Sequence, residues 1–289
     1  MTGDEATAEW LAEMWAREPR TFRTEAEGAS IACRGWNLDA TEQPGIVLVH
    51  GFRAHARWWD HIGPALAEDH RVVALDLSGM GDSDRREAYS RALHGREVLA
   101  AAEAAGIERP IIVAHSYGAV ASLIACRARP EAVQRLIVLD SALPTPDEAL
   151  FQIPMPPLRT YPDRETAVSR FRLIPPGGWP QPGILRHIAE HSVAPMFDGH
   201  WGWKFDNNMP LTLNRENYRP HMLGVTVPCD IIYGDRTEIF TSARRDAAAE
   251  IVPTCGRAVA LPAAHHHVMI EQPIALVASI RALLANDKG

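Results

Sequence analysis

Residues Pro110-Ile-Ile-Val-Ala-His-Ser-Tyr-Gly-Ala119 join a short apolar run to a run of small residues. The first half predicts a short buried strand. Ala119-Val-Ala-Ser-Leu-Ile-Ala125 then opens a helical pattern. A serine on such a strand-to-helix turn sits in strained backbone, with its hydroxyl pushed clear of the sheet. The positions two residues to either side must be tiny, because the turn brings strand and helix backbones together. Here they are Ala114 and Gly118, so the pattern is A-x-S-x-G, one methyl group away from G-x-S-x-G. Ser116 is therefore the candidate nucleophile, set against the plainer reading of an idle serine between a strand and a helix.

The strands expected around this one are Gly45-Ile-Val-Leu-Val-His50, Arg71-Val-Val-Ala-Leu-Asp76, Arg135-Leu-Ile-Val-Leu-Asp140, Cys229-Asp-Ile-Ile-Tyr233 and a short Val259-Ala-Leu261. Phe22–Glu25 and Ala29–Trp36 predict a leading hairpin, residues 84–105 a helix and 274–284 a closing helix. Strands alternating with helices predict a parallel α/β sheet covered on both faces. The rhythm breaks between Pro144 and Pro220, which hold 13 of the 22 prolines and three of the eight tryptophans, with helical pieces but no strand-like run. A helical insertion placed after a strand end predicts a lid over the C-terminal edge of the sheet. The division expected is a helix over 1–20, a core over 21–142 and 223–289, and a cap over 143–222.

A length of 289 residues suits one large core, with 46% hydrophobic and 22% charged residues. The net charge of −7 argues against a nucleic acid or an anionic membrane as partner. No apolar run approaches the roughly 20 residues of a membrane span. The acidic N-terminus lacks the pattern of a secretory signal. Cys33, Cys126, Cys229 and Cys255 are widely spaced, predicting buried thiols in a reducing compartment, and so a cytoplasmic protein. Trp10, Leu11, Met14 and Trp15 give residues 4–17 an apolar stripe for the core or for a second copy in a homodimer.

A serine hydroxyl needs a base to take its proton and donors to hold the oxyanion. The base is expected from a loop near the C-terminal end, in the order Ser, acid, His. Pro262-Ala-Ala-His-His-His-Val-Met-Ile-Glu-Gln-Pro273 offers three histidines there. With this tail, His50-Gly51-Phe52, Asp76-Leu-Ser-Gly-Met-Gly-Asp-Ser83 and Ala114-His-Ser-Tyr-Gly118, the chain resembles the α/β-hydrolase family over roughly residues 21–286. The resemblance implies an eight-stranded, mostly parallel sheet with the helical cap inserted after its sixth strand.

It also selects His266, five residues before Glu271, as the base, and leaves His265 and His267 structural or cap-facing. Neighbouring histidines on an extended loop point apart, and no acidic ligand is close in sequence, so no metal is expected. The oxyanion hole would use the backbone N–H of Tyr117 and, by resemblance, that of Phe52; His50 would be structural. Arg53 could face the pocket or brace its loop. The acid is open. Many relatives carry it after the penultimate strand, where this chain has Gly234-Asp-Arg-Thr-Glu238 and Thr237 stands at the expected position. Asp140 is the first choice, as in haloalkane dehalogenases and zearalenone-type lactonases, with Glu238 and Asp235 as alternatives. A serine in place of an attacking carboxylate disfavours dehalogenase and epoxide-hydrolase chemistry. The expected reaction is ester or lactone hydrolysis of a small, largely apolar substrate through an acyl-enzyme, without a cofactor. Carbon–carbon bond hydrolysis and a ligand receptor with little turnover are the alternatives. Trp179, Trp201 and Trp203 are the candidate substrate-binding tryptophans, with packing inside the cap as the competing reading.

Overall fold

The structure is a computed structural model, and it describes residues 3–145, 153–155, 157–178 and 181–285. Eight strands form one sheet: β1 (Arg20–Ala26), β2 (Ala29–Trp36), β3 (Gly45–Val49), β4 (Arg71–Leu75), β5 (Ile111–His115), β6 (Arg135–Leu139), β9 (Cys229–Gly234) and β10 (Cys255–Leu261). Their order is β1-β2-β4-β3-β5-β6-β9-β10. The hairpin β1–β2 and its join to β4 are antiparallel, and every later pair is parallel. β3 and β5 are buried along their whole length, as their unbroken apolar runs require of strands covered on both faces. β10 begins four residues earlier than its apolar core suggests, because Cys255-Gly-Arg-Ala258 lies on the sheet edge with alternate residues half-exposed.

One face of the sheet is covered by the helices Arg91–Ala104 and Tyr117–Ala128, which pack closely where Gly95 lies against the Ala121 carbonyl. The other face carries the helices Gly3–Ala16 and Pro273–Ala285. The apolar side chains of the N-terminal helix are spent on its own chain: Leu11 and Met14 are buried, and Trp15 stacks on His187 at 5.3 Å. Among the described residues no helix is long and apolar enough to cross a membrane.

The helix expected from residue 84 starts only at Arg91. Ser90 is extended and caps it by accepting from the Leu93 N–H. Residues 84–89 instead tie loops together, with the Arg86 guanidinium reaching Ser78, Glu97 and the carbonyls of Ala26 and Glu27. The insertion also differs from expectation. Besides the helices Arg164–Ser169, Pro182–His191 and Met209–Leu213 it contains an antiparallel ribbon, β7 (Val193–Pro195) with β8 (Trp201–Trp203). Three-residue strands leave too short a trace for periodicity to register. The insertion is fastened to the helices and loops of the core by polar contacts: Arg91 with Glu216, the buried Tyr89 hydroxyl donating to Asp206, and His187 with Asp60.

Candidate active site

β5 ends at His115, and the next residue takes the strained turn. Ser116 has φ 52° and ψ −118°, outside the regions open to most side chains. Its N–H donates to the Leu139 carbonyl at 3.0 Å, and its own carbonyl accepts from the Ser141 hydroxyl at 2.9 Å. β6 thus holds the turn from both sides. Gly118 has no alternative: a Cβ there would fall on the carbonyl oxygen of His50.

Two further side chains meet the serine hydroxyl. His266 Nε2 lies 3.0 Å from Ser116 Oγ, and His266 Nδ1 lies 2.9 Å from Asp140 Oδ1. Asp140 follows β6 directly, is fully buried, and adopts φ 38°. Three donors compensate the buried carboxylate: the His266 ring, the Gly234 N–H at 3.0 Å and the Thr237 hydroxyl at 2.8 Å. The Gly234 and Thr237 contacts come from the end of β9, where many relatives would carry the acid itself. Asp235 and Glu238, the alternatives, are both exposed there.

The loop that delivers His266 is held at each end. The His115 Nε2–H donates to the His266 carbonyl at 3.0 Å. Gly234 passes so close beneath the loop that a Cβ would fall on the carbonyls of Ala264 and His265. Glu271, almost fully buried, accepts the His265 N–H at one oxygen and the Gly178 N–H of the insertion at the other, both at 2.6 Å. His267 donates to the Pro175 carbonyl at 3.0 Å, and burial pushes its ring down to about 3. The adjacent histidines do not splay apart, because a short helix, Val268–Glu271, begins immediately after them. The His266 and His267 ring centroids lie 4.9 Å apart, and the His115 ring lies 4.6 Å from His266, tilted by 41°.

His115, His266 and His267 place ligand-capable nitrogens within 4.8 Å of one another. The donor set still does not fit a metal. Both nitrogens of His266 are committed to Ser116 and Asp140, and His115 and His267 each spend Nε2 on a carbonyl. That leaves Nδ1 of His115 and Nδ1 of His267, buried and without a partner, as two free nitrogens with no carboxylate in the group.

The loop after β3 passes on the other side of the serine: a Cβ on Gly51 would lie 3.3 Å from Ser116 Cβ. His50 braces this loop. Its Nδ1–H donates to the Gly51 carbonyl at 2.7 Å and its Nε2 accepts the Leu77 N–H at 3.0 Å, while burial pushes it down to about 4. The Asp76–Ser83 motif finishes the bracing. Asp76 accepts the N–H groups of Ala56 and Asp82, burial raises it to about 6, and Met80 sulfur accepts the Arg53 N–H. Phe52 is thereby set beside Tyr117, with ring centroids 5.4 Å apart. The Arg53 guanidinium lies 4.9 Å from the Phe205 ring and donates to the Pro154 carbonyl, spanning from this loop to the insertion.

Ser116, His266 and Asp140 are thus brought together; Tyr117 follows the serine, Phe52 packs on Tyr117, and the Arg53 guanidinium lies 5.3 Å from the Phe52 ring and reaches the insertion, not the triad. Trp203 packs on Tyr161 and Phe171, and Trp201 pairs with Tyr161, so their described contacts lie inside the insertion. Trp179 lies outside the described residues. Sequence reasoning did not assign contacts to Thr237, His115 or Ser141. Thr237 was marked by its position in the loop after β9 and the other two by adjacency to Ser116 and Asp140, but a hydroxyl or an imidazole there carries no motif.

Comparison with known proteins agrees with this frame. The model of the family described as Alpha/beta hydrolase family matches residues 46–280. An uncharacterized protein of Mycobacterium bovis is 33% identical over 105 residues, which are 36% of this chain and 31% of that relative. The chain therefore spans about a third of that relative's length. Epoxide hydrolase A of Mycobacterium tuberculosis is 27% identical over 295 residues, covering 83% of this chain and 90% of the relative. The crystal structure of E-2-(acetamidomethylene)succinate hydrolase superposes with a TM-score of 0.77 at 19% identity, over 92% of this chain and 99% of that one, a likeness of fold.

Proposed function

Because the chain belongs to the alpha/beta hydrolase family, we propose that it is a serine hydrolase cleaving a carboxylic ester or lactone of a small, largely apolar substrate. The observation that carries this reading is the unbroken line from Ser116 Oγ through His266 to the buried Asp140, at 3.0 and 2.9 Å. His266 takes the hydroxyl proton as Ser116 Oγ attacks the substrate carbonyl, and Asp140 steadies the imidazolium that forms. The imidazolium returns the proton to the departing alkoxide, leaving the acyl group on Ser116. His266 then draws a proton from water as its oxygen attacks the acyl carbon, and the imidazolium returns that proton to Ser116 Oγ as the acyl–Oγ bond breaks and the carboxylic acid leaves.

The oxyanion is assigned to the N–H groups of Tyr117 and Phe52. Tyr117 is the first residue of its helix, so its N–H has no carbonyl of that helix to meet. The Gly51–Phe52 backbone is the one packed against Ser116. Residues 143–222 are read as a cap, joined to the histidine loop through Glu271 and His267 and to the oxyanion loop through Arg53. An epoxide opened by this chain would need an attacking carboxylate, and position 116 supplies a hydroxyl. This separates the proposed chemistry from that named for the M. tuberculosis relative.

The test is a panel of aryl esters, lactones and β-diketones on wild type and Ser116→Ala, with a fluorophosphonate probe. Ester or lactone turnover that disappears in Ser116→Ala, with the probe on Ser116, is the expected result. Turnover of diketones alone would move the reading to carbon–carbon hydrolysis. A protein that leaves every substrate untouched and takes no probe would overturn it.

A further inference from the structure

We propose that Thr237 is a positioning residue of this reaction, its hydroxyl holding Asp140 in the one orientation that lets the carboxylate aim His266 at Ser116. The inference rests on the serine-hydrolase reading above and adds a residue to it.

A threonine hydroxyl has a single hydrogen to donate and lone pairs to accept with. The Ile239 N–H donates into Thr237 Oγ1 at 3.0 Å, which occupies its acceptor side. Thr237 Oγ1 lies 2.8 Å from Asp140 Oδ1, and a carboxylate oxygen can only accept. The direction of the hydroxyl is therefore fixed: its hydrogen goes to Asp140. The Thr237 backbone is fixed as well, because its N–H donates to the Gly234 carbonyl at 3.1 Å in a tight turn.

The oxygen chosen is informative. Oδ1 is the atom that receives His266 Nδ1–H, whereas Oδ2 is held by the Gly234 N–H. The three donors pin both ends of the carboxylate and so its rotation, and Thr237 shares the oxygen on which the imidazole depends. This chain has its acid on β6 and retains, at the site after β9, a neutral donor that serves that acid.

Removal of the hydroxyl frees the carboxylate to turn, so fewer molecules hold His266 correctly. The groups facing the His266 ring are Asp140, Ser116, His115 from β5 and His267 from its own loop. Burial pushes His115 and His267 well down, so both stay neutral and Asp140 supplies the charge.

The experiment measures the second-order rate of fluorophosphonate labelling of Ser116 at neutral pH, which needs no known substrate. Thr237→Val and Thr237→Ala should label about tenfold more slowly. Thr237→Ser restores the donor and should keep the wild-type rate, within about twofold. A merely structural loop residue would lower melting temperature without this split between the Ser and Val variants. In wild type, the Thr237 hydroxyl proton should give a slowly exchanging NMR resonance close in space to His266 Nδ1–H, a readout that requires no variant to fold. Val and Ala variants that label as fast as wild type, a Ser variant that behaves like Val, or a missing hydroxyl resonance would each overturn the inference. Wild type that resists the probe altogether would overturn the serine-hydrolase reading first, a failure distinct from a Val variant that labels normally.

Discussion

Asp140 and His266, 126 positions apart, meet at 2.9 Å because β6 ends beside β9 and the loop after β10 folds back over Gly234. The carboxylate is fully buried, whereas Asp235 and Glu238 in the neighbouring loop are exposed. Asp140→Asn presents an amide where the imidazole N–H needs an acceptor, which favours the wrong tautomer. On the proposed assignment its turnover should fall by about 10³–10⁴. Asp235→Asn and Glu238→Gln should keep most of theirs. Steady-state kinetics on the best ester of the panel ranks the three, and the opposite ranking would sink the assignment.

Stability should fall as the solution is acidified below neutral. Burial pushes His50, His61 and His94 down to about 4, and His267 to about 3. In the unfolded chain each would bind a proton near pH 6.5. Between about pH 6.5 and 4 the unfolded state therefore holds more protons than the folded one, and acid favours unfolding. Asp76 works in the opposite direction: burial raises it to about 6, so its contribution is present at low pH and lost as pH rises toward 6. His55, His115 and His191 are pushed down in the same sense, and burial raises Glu97 as it does Asp76, so the lowered histidines outnumber the raised carboxyls and the net sign is unchanged, with each uncompensated proton worth about 1.4 kcal/mol per pH unit. Thermal melts should show the midpoint dropping steadily from pH 7 to pH 5. A midpoint that stayed flat or rose would contradict the burial of these rings.

The parallel core was legible because its strands are pure apolar runs, and Ser116 because a strand, a turn of small residues and a helix leave a local signature. His266 needed the resemblance, since three consecutive histidines are indistinguishable without a register. Asp140 could be ranked first from the sequence because it closes a buried run. What settles its surroundings, the hydroxyl of Thr237 and the N–H of Gly234, comes from a strand nearly a hundred residues later. The ribbon Val193–Pro195 with Trp201–Trp203 was missed because its pairing depends on a turn, not on alternation. The start of the helix at Arg91 was missed because Arg86 prefers a buried partner, Glu97, to a helical position.

Gly234 should tolerate no side chain. A Cβ there would fall on two backbone carbonyls of the loop that carries His266, and backbone cannot swing aside as a side-chain tip can. Gly234→Ala should thus push the imidazole off Ser116 and cost at least about 10² in rate, the order expected from a displacement of about 1 Å. Gly183→Ala is the control, since its Cβ would meet only the Trp15 ring at 3.4 Å. Its activity and melting temperature should stay close to wild type. Equal behaviour of the two variants would show that the loop is not seated on β9 as described.

Glu271 joins the histidine loop to the insertion, so its loss should be felt in both. One carboxylate oxygen accepts the His265 N–H and the other the Gly178 N–H, and the carboxylate itself is buried. Glu271→Gln keeps the shape but turns an NH₂ toward one of these donors, leaving two donors facing each other. A buried donor without an acceptor costs about 1–3 kcal/mol. The melting temperature should therefore fall by several degrees, and turnover by about tenfold if the loop takes up part of the strain. Limited proteolysis locates the damage: cleavage near residues 172–178 should accelerate relative to wild type, because Gly178 loses its anchor while the helices of the sheet keep theirs. Unchanged proteolysis together with lost activity would instead place the whole role of Glu271 in the histidine loop.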